Sequence, residues 1–103
     1  MELKRLEEAI EAFKKSIALN RNDSKGYYYI GQCYYNLKNN EEAHKYLDEC
    51  IKMDKENYKA RYVKAKILEK EKKTKEAIKL LKEALAINEY YYEAKELLNK
   101  LED

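Results

Sequence analysis

The sequence has no proline, no tryptophan and only two glycines, Gly26 and Gly31. Without proline no helix loses a backbone donor, and so few glycines leave little from which to build the tight turns of an all-β chain. Cysteine is also scarce. Cys33 and Cys50 lie 17 residues apart with no CxxC pair, so neither a disulfide framework nor a redox motif is indicated. That usage suits a reducing compartment. No run of 18 apolar residues occurs, and the opening stretch from Met1 to Glu8 lacks an apolar core of signal-peptide length. We therefore expect a soluble, cytoplasmic chain with no membrane partner. Excess charge of one sign is missing too: 22 basic and 20 acidic residues leave +2 at neutral pH, without the basic surplus of a phosphate-backbone binder. Nucleic acid is disfavoured as a partner. His44 is the single histidine, and one histidine makes neither a metal site nor a catalytic constellation. We expect no enzyme, no metal and no cofactor.

What the sequence does contain is helix-forming material. Of its 103 residues, 41% are charged, with lysine and glutamate interspersed, and the length fits one domain with a limited core. A repeat of 34 residues runs through it. Glu8, Glu42 and Glu76 fall in register, each followed by Ala9, Ala43 and Ala77, with Phe13, Leu47 and Leu81 four residues later. The register continues through Ile17, Ile51 and Leu85, then Leu19, Met53 and Ile87, and ends on Asn20, Asp54 and Asn88. Within one period the apolar spacing is helical twice over: Tyr27, Ile30, Tyr34 and Leu37, then Ala43, Leu47, Cys50 and Ile51. Each repeat is thus expected to be a helical hairpin. Lys38-Asn39-Asn40 divides its two helices, and an asparagine there can accept from the unpaired N–H groups of the helix opening at Glu41-Glu42. Asp23-Ser24, Asn57 and Thr74 offer capping oxygens at the other starts, which gives six helices.

The segment Tyr27-x2-Ile30-Gly31-x2-Tyr34, followed by Ala43-x3-Leu47, resembles the tetratricopeptide repeat pattern of large aromatic, Leu-Gly, Tyr and Ala-x3-Phe. The resemblance covers nearly the whole chain. It departs at Arg61 and Lys64, where the family prefers a large aromatic and a leucine, and at Arg21, Lys55 and Glu89, where a proline is usual. The fold it implies is all-α: a right-handed superhelical stack of antiparallel helix hairpins, an α-solenoid. Gly31, Ala43 and Cys50 let the paired helices approach, and bulk at Gly31 or Ala43 should overpack them. The organisation expected is a single domain over 1–103, with a second-type helix in 1–23, full repeats in 24–57 and 58–91, and a first-type helix in 92–103. On this reading Leu3, Leu6, Ile10, Phe13 and Ile17 form an apolar stripe on the first helix whose partner is missing. Excision from a longer array, or engineering, would produce such an end. Self-association through that stripe is then the alternative role for the chain, as a structural fragment.

The function that the resemblance implies is protein–protein interaction, with a peptide segment of a partner held in a concave groove lined by first helices. The residues placed there by repeat register are Lys25, Tyr28, Gln32, Tyr35 and Asn36, then Lys59, Tyr62, Lys66 and Glu69. Tyrosine offers contact area with a polar tip and lysine favours carboxylates, so an acidic or aromatic-flanked peptide is the expected ligand. The family's carboxylate clamp for chaperone tails is not matched: its places fall on Tyr28, Gln32, Val63, Glu93 and Leu97. Tyr27, Tyr34 and Tyr46 are read as core, the two cysteines as small apolar fillers, the Tyr90-Tyr91-Tyr92 run as a packed turn, and Lys70 to Lys75 as a solvated corner.

Overall fold

A computed structural model describes residues 3–103. Six helices run through them: α1 (Leu3–Leu19), α2 (Ser24–Asn36), α3 (Asn40–Met53), α4 (Tyr58–Lys70), α5 (Thr74–Ile87) and α6 (Tyr92–Glu102). No strand occurs among the described residues. The chain divides into two compact units, Met1–Lys55 and Glu56–Asp103.

Local chemistry sets the helix ends. Asp23 accepts from the Gly26 N–H at 3.4 Å, Asn39 from Glu42 at 3.3 Å and Asn57 from Ala60 at 2.9 Å, so three helices start on a side-chain cap. Thr74 departs from expectation. The cap position of α5 is Lys73, without a side-chain cap bond, and Thr74 is already inside the helix as its first residue. Its hydroxyl comes one residue too late to serve the first turn. At the stops, Asn20 accepts from the Asn22 N–H at 3.3 Å and Asn88 from Tyr90 at 3.1 Å, turns that compete with helix continuation and replace the absent proline.

The two turns inside the hairpins share a device the pattern does not announce. Lys38 and Lys72, 34 residues apart, take left-handed φ values of 64° and 63°. Asn39 N–H donates to the Tyr34 carbonyl at 2.9 Å and Lys38 N–H to Tyr35 at 3.0 Å, and Lys73 and Lys72 repeat the arrangement on Leu68 and Glu69. This is a Schellman closure, with lysine where glycine is usual.

In the first unit α2 packs on α1 and on α3; in the second α5 packs on α4 and on α6. Gly31 is what permits the α2–α3 approach, since a Cβ there would lie 2.7 Å from Leu47 Cγ and 2.8 Å from its Cδ2. Gly26 performs the same service against α1, where a Cβ would meet Ile17 Cγ2 at 2.5 Å. In the second unit Ala65, Leu68, Ala77, Leu81 and Ala94 form one buried cluster.

The α1 stripe expected to lie open is largely covered by its own unit. Leu6 and Ile10 are each 4% exposed, Ile17 closes against Gly26, and Phe13 stacks on Tyr29 with ring centres 5.2 Å apart; Leu3, at 64%, stays open. The reason is that a second-type helix meets two first-type helices, and α2 follows α1 directly and covers that side. A different side of α1 lacks cover.

Candidate functional site

The helices supplying the expected contact residues are α2 and α4. A helix turns 100° per residue, so Lys25, Tyr28, Gln32, Tyr35 and Asn36 share one side of α2, and Lys59, Tyr62, Lys66 and Glu69 the matching side of α4. On α2, Lys25 and Asn36 are exposed while Tyr28, Gln32 and Tyr35 are half-buried. Tyr28 lies 5.3 Å from Tyr29, ring centre to ring centre, and burial foremost, then the neighbouring Tyr29 and Cys50, pushes its phenol above its usual range. It stays neutral at physiological pH, a hydroxyl available to donate or accept.

On α4, Lys59 is exposed and Tyr62 is held more firmly than an isolated surface aromatic. Tyr91 meets it edge-on at 5.2 Å and also meets Tyr58 at 4.9 Å. The Lys66 ammonium sits 4.8 Å from the centre of the Tyr62 ring. Tyr62 and Lys66 are therefore a preassembled aromatic–cation pair, and Tyr91, contributed by the turn before α6, is the support that register reasoning did not assign. The sequence signal for it was the tyrosine run itself. Arg61, where the family prefers an aromatic, reaches α5 and pairs with Glu83 at 3.5 Å.

The core tyrosines form a second cluster in the first unit. Tyr46 stacks on Tyr34 at 5.7 Å and leans on Tyr27 at 6.0 Å. The Lys14 ammonium lies 5.7 Å from the Tyr34 ring centre and 6.0 Å from that of Tyr46, and its hydrogen bond to Tyr34 raises its proton affinity above the lysine norm. Cys33 is a half-buried thiol, pushed up by burial and so less nucleophilic than usual, and Cys50 is buried. Among the described residues no group of three or more His, Cys, Asp or Glu side chains could hold a metal ion, and no helix is long and apolar enough to cross a membrane.

A family model described as "Anaphase-promoting complex, cyclosome, subunit 3", of tetratricopeptide type, matches residues 2–84. The chain belongs to this family. Solved structures agree on the fold of this tetratricopeptide chain. The first tetratricopeptide domain of Spaghetti (RPAP3), bound to the HSP90 peptide SRMEEVD, is 19% identical with a TM-score of 0.90, over 96% of this chain and 79% of that one. The OM64 tetratricopeptide domain of Arabidopsis is 22% identical with a TM-score of 0.89, over 95% and 81%. MamA is 23% identical with a TM-score of 0.84, and the chain covers 93% of itself but 56% of the MamA chain, little more than half that protein's length. No curated protein sequence matches. The fold is an all-α, tetratricopeptide-like helical solenoid, and its family is one of protein-interaction modules.

Proposed function

We propose that this tetratricopeptide chain binds a peptide segment of a partner protein through the first-helix faces of α2 and α4, and that the segment is acidic or flanked by aromatics. The observation that carries this reading is the Tyr62–Lys66 pair at 4.8 Å, braced by Tyr91. An aromatic face and a cation already fixed side by side lose little side-chain entropy when a carboxylate or a second ring arrives. Lys25 and Lys59, in equal register on the two helices and both exposed, add charge of the same sign. Binding of an acidic peptide by one of the similar structures, the RPAP3 domain with SRMEEVD, supports an acidic ligand in this fold. The recognition differs from a terminal-carboxylate clamp, since Tyr28, Gln32, buried Val63, Glu93 and Leu97 occupy those places and supply no set of basic donors. The setting we propose is cytoplasmic.

The test is charge reversal of Lys25, Lys59 and Lys66 to glutamate, with affinity for an acidic, tyrosine-containing peptide read by calorimetry and helicity by circular dichroism. Affinity should fall at least tenfold while helicity is retained. Undiminished affinity would place the contact elsewhere.

A further inference from the structure

The repeat supplies its own control for which surfaces ought to be covered. On α3, Ala43, Leu47 and Cys50 are fully buried, and so are their counterparts Ala77, Leu81 and Ala84 on α5. The same register on α1 holds Ala9, Phe13 and Ser16; the first two are half-buried and Ser16 is exposed. The adjoining side of α2 shows the same deficit. Tyr29 is 44% exposed and Cys33 half-buried, whereas Val63 and Ile67, their counterparts on α4, are 2% and 0% exposed. Between these two faces runs a groove of about 470 Å³, its walls including Leu6, Ala9, Phe13, Tyr29 and Cys33. It lies wholly within the first unit and is a different surface from the lysine and tyrosine face of the proposed peptide site.

From this groove we infer a second docking site, which takes an amphipathic helix from a partner protein with a small residue over Phe13 and an acidic residue over Lys15. The template for the small residue is internal. The helix packed on Leu47 presents Gly31 there, and Ala65 stands in the same register opposite Leu81. The acid follows from charge complementarity. Arg61 of α4 pairs with Glu83 of α5 at 3.5 Å, and the α1 residue in Glu83's register is Lys15, which is exposed. The sign at that contact is inverted, so the visitor needs a carboxylate where α4 carries its guanidinium.

The same two positions argue against a second copy as occupant. Its α6 is the first-type helix that lacks a following hairpin partner, yet in the registers of Arg61 and Ala65 it carries Lys95 and Asn99. Lys95 would confront Lys15 with like charge, and Asn99 would thrust an amide where a glycine or alanine is needed.

The test uses the intact chain and two labelled, side-chain-stapled peptides copying residues 24–36 with Cys33→Ser, one with Tyr27→Glu and one with Tyr27→Lys, read by fluorescence anisotropy. The glutamate peptide should bind saturably and more tightly than the lysine peptide. Ala9→Arg in the chain should weaken it at least tenfold. Lys15→Glu, on an exposed position that leaves folding intact, should weaken it about threefold to fivefold and reverse the preference between the peptides. The Lys25, Lys59 and Lys66 reversal should leave it unchanged, which separates this site from the acidic-peptide site. Absence of saturable binding, or binding indifferent to both Ala9→Arg and Lys15→Glu, overturns the inference. So does a concentration-dependent dimer dispersed by Ala9→Arg, since the occupant would then be a second copy.

Discussion

Gly31→Ala sets two effects of opposite sign against each other, and the structure decides between them. In a helix interior alanine is favoured over glycine by about 0.5–1 kcal/mol, so propensity alone predicts a more stable protein. The added methyl, however, would stand 2.7 Å and 2.8 Å from Leu47 Cγ and Cδ2, where carbons rest at about 3.5–4.0 Å. Leu47 is fully buried, so relief requires it to leave its rotamer or α2 to move off α3. Overpacking of this kind costs about 1–3 kcal/mol, which leaves a net loss of about 1–2 kcal/mol after the propensity gain. At about 4–8 °C per kcal/mol for a domain of this size, thermal denaturation followed by circular dichroism should show Tm lower by about 5–15 °C. Ala65→Gly in the second unit is the control. Alanine is already accommodated opposite Leu81, so its removal should also lower stability, by about 1 kcal/mol. Gly31→Ala combined with Leu47→Ala should cost less than the sum of the single changes, because the smaller side chain removes the clash. A Tm raised by Gly31→Ala would refute the reasoning.

Three other outcomes follow from the same structure. Lys38→Gly and Lys72→Gly should each stabilise by about 1 kcal/mol in urea denaturation, because the left-handed φ values of 64° and 63° burden a Cβ-bearing residue and not glycine. Asn57→Ala should cost about 1 kcal/mol through loss of the 2.9 Å cap to Ala60, whereas Thr74→Ala, with no side-chain cap bond at the start of α5, should change stability by only a few tenths. Folding raises the Tyr28 pKa above its ordinary 10.0, so the folded state holds that proton more tightly, and the contribution is complete below this value and lost as pH rises through the raised one. The urea midpoint should therefore fall above pH 10, and Tyr28→Phe should make that fall shallower; an unchanged slope would show that Tyr28 is not the group responsible.

The helices were legible because they depend on local rules. Asparagine and aspartate at Asp23, Asn39 and Asn57, the stops at Asn20, Asp54 and Asn88, and the 34-residue register each act within a turn of themselves. Thr74 was misjudged because the register points to the start of α5 without saying which residue falls outside it. The Lys38 and Lys72 turns were invisible for a related reason: lysine carries no preference for a left-handed backbone, and the closure is imposed by the hydrogen bonds around it.

The candidate sites were legible in unequal parts. Register alone picked out Tyr62 and Lys66, but not that Tyr91 braces the ring or that the ammonium lies over it, since those partners depend on how a turn folds back. The exposed side of α1 could not be read from its hydrophobic stripe. Every side of a second-type helix carries apolar residues, and only packing shows that Leu6 and Ile10 are used by α2 while Ala9, Phe13 and Ser16 are not. The sequence by itself determined the helix count, the repeat and the family, which are properties of residues and their spacing along the chain. Tertiary structure decided which aromatic faces meet, which cations they hold and which face stays uncovered, because these depend on distances between residues that spacing along the chain does not specify.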